Sequence, residues 1–267
     1  MNEPDDIGEV DVDRPNAARM YDYYLGGSAS FEVDRQAAEA GKAAMPDAAF
    51  YAQSNRAFLG RAVRHLVAAG IDQFLDLGSG IPTKGNVHEI AQQLDPRAKV
   101  SYVDIEPVAV AHARRLLQGV EGVTSTRADI RDPRTVLNAP GVAGLLDFSR
   151  PVAVLAVAIL PFVPDDEEVA ALVAQYRQAC VPGSYLVVSH ISPLAASAEQ
   201  VAAAEEVMAR TPTPVRWRTA DRLFPLFEGY TLIPPGLVPV AQWRPDQQAT
   251  AEEVARANSY GAVGLLR

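Results

Sequence analysis

The apolar pattern changes character once along the chain, near residue 70. Before that point Phe58, Leu59, Ala62, Val63 and Leu66 recur at helical spacing, with Arg61, Arg64 and His65 between them. A helix is therefore predicted to run up to Gly70, a residue suited to the position just past a helix C-terminus. The stretch from Pro15 to Arg64 reads as helical, interrupted at Gly26-Gly27 and at Pro46, and residues 1–13 read as a disordered acidic lead. Beyond residue 70, short apolar runs alternate with amphipathic ones. Strands are predicted at Gln73 to Leu77, Lys99 to Val103, Val123 to Ala128, Pro151 to Val157 and Tyr185 to Ser189. Between them fall helices from Asn86 to about Leu94, Pro107 to Leu117 and Asp165 to Cys180. The fourth run hardly alternates, as expected of a strand buried on both faces. Strands alternating with helices at these lengths predict an α/β fold with a parallel sheet covered on both sides. Further on come a helix at about Ala195 to Arg210, a shorter one at Ala220 to Phe227, and apolar segments at Thr231 to Ile233 and Val238 to Trp243. Tyr260 to Leu266 is expected to add an edge or inserted strand. The simplest division is one domain over 14–267: a helical extension (14–70), a core (71–190) and a C-terminal part (191–267).

Charge and composition narrow the functions open to this fold. The formal net charge is −9, and nucleic-acid binding needs clustered cations to displace counterions, so no nucleic-acid partner is expected. No run of eighteen uncharged apolar residues exists, so no membrane span is predicted. The acidic start lacks the basic and apolar regions of a secretory signal. Cys180 is the single cysteine and the four histidines are scattered, which gives no disulfide and no zinc-type spacing. A cytoplasmic location without a metal is the expectation.

The candidate chemistry sits where the first three strands end. Asp76-Leu77-Gly78-Ser79-Gly80 follows the first strand, and glycines there let the backbone approach a ligand with no Cβ between. In sheets of this type ligands lie beyond the carboxyl ends of the strands. Asp104 ends the second strand, where a carboxylate can accept from both hydroxyls of a ribose. Asp129 ends the third, followed by Ile130; the acid can take the exocyclic amine of an adenine and the isoleucine can cover its face. Each feature alone is also what a tight turn or a solvated strand end looks like; three in succession point to a nucleoside. A dinucleotide site would want a third glycine where Thr83 stands, and Pro82 removes an amide where phosphate would want one. S-adenosylmethionine carries no phosphate, and its needs match what is present. A nicotinamide oxidoreductase is the lesser alternative.

Longer motifs carry a family resemblance. The run from Phe74 through Thr83, Asn86-Val-His-Glu, Tyr102-Val-Asp-Ile-Glu-Pro and Ala111-His-Ala-Arg-Arg-Leu-Leu resemble the actinobacterial S-adenosylmethionine methyltransferase family long catalogued as a domain of unknown function. So do Arg19-Met-Tyr-Asp-Tyr-Tyr-Leu-Gly-Gly with Phe31 and Asp34-Arg35, Asn55-Arg56-Ala-Phe-Leu, the segment from Pro182 to His190, and that from Pro235 to Pro245. The resemblance spans nearly the whole chain. It implies a Rossmann-like class I methyltransferase fold, with a seven-stranded sheet whose last strand is antiparallel. It also implies that Asp76, Gly78, Ser79 and Gly80 line the methionine end, that Asp104 holds the ribose, that Asp129 with Ile130 holds the adenine, and that Ile105 is a further cofactor contact. Val157 would face the methionine amino group through its backbone, and the segment around Tyr21 would close over the pocket. The family often shows His-His where this chain has Pro161 and Phe162.

Methyl transfer from a sulfonium needs near-attack geometry in a dry pocket more than it needs a particular catalytic side chain. His190, at the end of the fifth strand, is the best-placed candidate base, with a satisfied structural histidine as the alternative; His88 reads as structural. Arg14, Arg19, Arg35 and Arg56 could face the cofactor carboxylate or form a solvated helix face. The helix from Val201 to Arg210 reads as solvated and amphipathic, or as a roof over the pocket. A small-molecule O- or N-methyltransferase is the reading these features favour, with a non-catalytic S-adenosylmethionine sensor as the alternative.

Overall fold

The computed structural model describes residues 10–82 and 85–267. Most of the expected acidic lead, and Thr83, lie outside the described residues. The described residues open with three helices: α1 (Ala17–Tyr24), α2 (Glu32–Ala44) and α3 (Ala48–Ala68). The Asn16 side chain caps α1, accepting from the amides of Ala18 and Arg19. Strands and helices then alternate: β1 (Gln73–Leu77), α4 (Val87–Leu94), β2 (Lys99–Asp104), α5 (Pro107–Leu116), β3 (Val123–Arg127), α6 (Pro133–Asn138), α7 (Pro140–Ala143), β4 (Ala153–Val157), α8 (Asp166–Gln178) and β5 (Tyr185–Ile191). The C-terminal part holds α9 (Ala198–Met208), α10 (Ala220–Leu223), β6 (Tyr230–Leu232), β7 (Val238–Pro239), α11 (Ala251–Arg256) and β8 (Ser259–Leu266).

These strands form one sheet in the order β3-β2-β1-β4-β5-β8-β6, with β7 also paired to β8. β1 to β5 are parallel, and β8 runs antiparallel to β5. The strand order reverses between β1 and β4, which is where ligands bind in open sheets of this kind. Among the described residues the count is eight strands, not the expected seven. β6 and β7 pair with opposite ends of β8, Tyr230 with Leu266 and Pro239 with Tyr260. They are one edge strand broken by Pro234-Pro235-Gly236, since proline has no amide to give to the ladder.

Alternating side chains along each strand feed two cores. Leu75, Leu77, Val154 and Leu186 pack under α8 and its neighbours, whereas Phe74, Val100, Leu155 and Val263 pack under α3 and α4. Full burial of each such side chain stabilises by about 1.5–3 kcal/mol. Asp76 has the same parity as Phe74 and so points toward α3. Two expected helices are altered. The segment from Ala220 breaks into α10 and a 3-10 turn at Phe224–Phe227, where Pro225 withholds an amide. α9 begins only at Ala198, capped by the Ser197 hydroxyl on the amide of Gln200.

The helical extension is tied down by charge. Arg19, almost fully buried, pairs with buried Asp34 at 2.8 Å and with Glu106 at 3.4 Å, and it stacks on the Phe31 ring. Asn16 also donates to Glu106. Buried charges persist only when paired in this way. The network fixes α1 and α2 over the β2–α5 turn.

Candidate active site

A cavity of about 250 Å³ lies beyond the carboxyl ends of β1, β2 and β4, roofed by α1, α2, α3 and α9. Every predicted site residue borders it: Tyr21, Asp76, Gly78, Ser79, Gly80, Asp104, Ile105, Asp129, Ile130 and Val157. The sheet order brings together acids that are far apart in sequence.

The glycine turn is built tightly. The amides of Gly78 and Ser79 both donate to the Val103 carbonyl, at 2.8 and 3.1 Å. Gly78 sits at φ +70°, and a Cβ there would fall 2.3 Å from the Ile159 side chain. Gly80 sits at φ +65°, and a Cβ there would meet nothing. The first glycine is thus required by packing, whereas the second faces open space. The Gly80 amide donates to Asp104 Oδ2 (2.7 Å) and the Glu106 amide to Oδ1 (2.8 Å). Burial raises the Asp104 carboxyl above its ordinary value, against the pull of these backbone amides.

Asp76 is buried at the end of β1, and desolvation pushes its carboxyl up to about 7, with Arg56 opposing the shift and Asp104 adding to it. Arg56 projects from α3 into the same cavity. Its Nη2 donates to Asn86 Oδ1 at 3.0 Å, and its buried Nε has no hydrogen-bond partner among the described residues. Of the four candidate arginines, Arg56 lines the cavity, Arg19 is committed to its ion pairs, and Arg35 pairs with Glu32 at 2.7 Å. Arg14 supplies a backbone carbonyl to Arg19 and does not border the cavity.

Asp129 lies past the end of β3, which stops at Arg127 and not at the expected Ala128. Its carboxylate is clasped by Arg131, whose Nε stands 3.0 Å from both oxygens. This contact, more than any other, pulls the Asp129 carboxyl below its usual range. A carboxylate has about four acceptor sites, so capacity for a further donor remains. Ile130 is buried beside it, and its carbonyl accepts from Tyr176.

The roof carries the rest. Tyr21 donates to the Ala52 carbonyl (3.0 Å) and accepts from Asn55 Nδ2 (2.9 Å). Asn55 in turn accepts from Ser189 of β5, which links the roof to the sheet. Tyr24 borders the cavity too, and sequence reasoning missed Met45, Tyr51, Ile191, Val215 and Trp217, which also border it. One signal was available: Ala48, Tyr51, Asn55 and Leu59 form a helical stripe on α3 and face the cavity together. α9 contributes Ala204, Val207 and Met208 to the wall, so the roof alternative for that helix is the observed one.

His190 does not reach the cavity. Its Nδ1 lies 2.7 Å from the Ile191 carbonyl and its Nε2 3.0 Å from Arg218 Nη1. Burial, with Arg218 adding to it, lowers its pKa to about 3. His88 is bonded through Nδ1 to Tyr102 at 2.7 Å. Both histidines are structural.

These groups suit S-adenosylmethionine and not a dinucleotide. A pyrophosphate would need free amides at the start of α4. There the Glu89 carboxylate accepts from the amides of Gly85 and Asn86, at 2.9 Å each, and its charge would repel phosphate. In contrast, the cavity offers the buried carboxylates of Asp76 and Asp104, a cation at Arg56 and the open face of Gly80. Among the described residues no group of acids, histidines and cysteine could hold a metal ion, and no helix is long and apolar enough to cross a membrane.

Comparison with known proteins agrees. The sequence profile of the S-adenosyl methyltransferase family matches residues 4–267. A DUF574-family protein of Streptomyces avermitilis is 35% identical, with a TM-score of 0.92 over 97% of this chain and 100% of its own. A protein of Thermobifida fusca named as a candidate methyltransferase is 36% identical, with a TM-score of 0.90 over 96% of this chain and 97% of its own. The N-methyltransferase NodS of Bradyrhizobium japonicum, solved with S-adenosyl-L-homocysteine, shares the fold at 12% identity (TM-score 0.51, covering 94% of this chain and 98% of its own). No curated protein is significantly similar to the chain. The chain belongs to the S-adenosyl methyltransferase family and is an S-adenosylmethionine-dependent methyltransferase of class I fold.

Proposed function

We propose that the protein methylates an O or N nucleophile of a small molecule, with the cofactor lying across the ends of β1, β2 and β3. The observation that carries this reading is the single cavity that joins the Asp76, Asp104 and Asp129 acids to an apolar chamber under the roof. S-adenosylmethionine, when bound, supplies a methyl group made electrophilic by the sulfonium. Asp104 accepts from the ribose hydroxyls with its orientation set by the amides of Gly80 and Glu106. Asp129 accepts from the adenine amine, and Ile105 and Ile130 cover the ring. Asp76 receives the methionine ammonium, helped by the Val157 carbonyl, and Arg56 receives the carboxylate. Tyr21, held by Ala52 and Asn55, closes the site from above and excludes water, and a dry site strengthens each of these contacts.

Two measurements test the reading. Calorimetry should show S-adenosyl-L-homocysteine binding to the free protein. Methyl-labelled cofactor incubated with the protein and an actinobacterial metabolite extract should pass its label to a low-mass product. Tight cofactor binding with no transfer to any extract fraction would favour a sensor in place of an enzyme.

A further inference from the structure

The cavity has two chemically different ends. Among the described residues its charged side chains, Arg56, Asp76, Asp104, Glu106, Asp129 and Arg131, all stand at the ends of β1 to β3 or on the face of α3 above them. The other end lies between α1, α2, α3, α9 and the tip of β5. Its wall is made by Tyr24, Met45, Tyr51, Ile191, Met208 and Trp217. Met45, Ile191 and Trp217 form a small apolar cluster of their own, with Tyr24 and Tyr51 packed against it, apart from the two cores of the sheet. Among the described residues no charged side chain and none of the four histidines lines this end.

That inventory constrains the occupant. An ammonium or carboxylate moved into such a wall loses its hydration and finds no counter-ion, which is strongly unfavourable. Methionine sulfur and aromatic faces instead favour flat, polarisable rings. Tyr24 is already engaged with the Ala38 carbonyl at 3.2 Å. The Tyr51 hydroxyl has no hydrogen-bond partner among the described residues, and burial keeps it firmly protonated. It can therefore donate or accept one hydrogen bond and cannot act as a base.

Resting on the methyltransferase reading above, we infer that the acceptor is a neutral aromatic molecule with a phenolic hydroxyl, bound in this chamber with Tyr51 as its polar anchor. A phenol enters uncharged, whereas an alkyl amine would enter as a cation. A phenol is also acidic enough to give up its proton without a protein base: it enters neutral, the proton passes to bulk water before the site closes with the oxygen facing the positive sulfonium, and that oxygen then forms the new C–O bond as the C–S bond breaks toward sulfur. Amino acids, phosphorylated metabolites and polyamines are excluded by the same wall.

The test uses the full chain, first titrated with S-adenosyl-L-homocysteine. The loaded protein is then titrated with naphthol, naphthoate and naphthylmethylamine, which share one ring system and differ in charge, following the fluorescence of the two tryptophans. Naphthol should bind at least about tenfold more tightly than either ion. Its quenching should vanish in Trp217→Phe, because Trp243 is buried against Phe58 in a separate core. Val215→Asp, on the half-buried rim, should weaken naphthol by about tenfold or more while cofactor affinity stays the same. Equal or tighter binding of an ion, no binding of naphthol, quenching that survives Trp217→Phe, or an unaffected Val215→Asp each overturns the inference. Failure to bind S-adenosyl-L-homocysteine in the first titration instead overturns the cofactor reading on which it rests.

Discussion

The carboxylate of Asp104 accepts a 2.7 Å hydrogen bond from the amide of Gly80. The end of β2 thereby holds the turn that follows β1, and the acid is oriented before any ligand arrives. Asp104→Asn keeps the size but loses the charge and replaces one acceptor oxygen by a donor facing an amide. Hydrogen bonds to a charged group contribute about 1.5–3 kcal/mol each. Asp104→Asn should therefore weaken S-adenosyl-L-homocysteine by at least about tenfold, and Asp104→Ala by more. Calorimetry on both variants checks this, and unchanged affinity in Asp104→Ala would remove the ribose role.

The two glycines of the turn should separate stability from binding. Gly78→Ala drives a Cβ into Ile159 at 2.3 Å and adds left-handed strain, so a loss of about 2–4 kcal/mol is expected. Gly80→Ala meets no protein atom and should lose only about 1 kcal/mol. Its methyl group would occupy ligand space, so cofactor affinity should fall well out of proportion to the melting temperature. Denaturant unfolding and calorimetry on the same two variants give the comparison.

Asp76 should make both folding and binding depend on pH. Its carboxyl is raised to about 7 in the folded protein, against about 4 in an unfolded chain. Between those values the folded state keeps a proton that the unfolded state has lost, so this group's contribution to stability declines as pH rises from about 4 to about 7 and is level above that. Asp76→Asn should raise the melting temperature at pH 8 by about 2–4 °C for each kcal/mol relieved, with less effect at pH 5. An ammonium ligand needs the ionised acid. Affinity for S-adenosyl-L-homocysteine should therefore climb as pH rises to about 7, with proton release visible as heats that differ between buffers. Proton-neutral binding at pH 6 would contradict the assignment of Asp76 to the ammonium.

His190 works in the opposite sense. Held near 3 by burial, it is neutral in the folded protein and charged in the unfolded chain below about 6.5. Stability is thus lost as pH falls from about 6.5 toward 3. His190→Gln should flatten that acid limb in thermal melts and leave label transfer into a metabolite extract largely intact. A loss of about a hundredfold, the scale of a missing general base, in a folded variant would restore His190 as the base.

Much of this was legible beforehand. β1, β2, β4 and β5 sit within a few residues of their expected positions, because buried parallel strands are short apolar runs between turn residues. The placement of Asp76, Asp104 and Asp129 at one cavity was legible because each stands where an apolar run gives way to a turn, and parallel strands bring such ends together. The chamber was not. Met45, Ile191, Val215 and Trp217 come from elements far apart in sequence, and no local period marks residues whose common feature is a place in space. Only the α3 stripe, with Tyr51 and Asn55 among small and apolar neighbours, carried a readable hint. The extra strand arose from Pro234-Pro235, which divided one edge into two.

The placement of β8 between β5 and the β6–β7 edge has a consequence for synthesis. β5 is complete at Ile191, yet its neighbour on that side is residues 259–266. While the ribosome makes the intervening residues, β5 presents a bare ladder of amides and carbonyls to the cell. A nascent chain in that interval should be the form most drawn to chaperones, and stalling before residue 259 should leave a species prone to self-association.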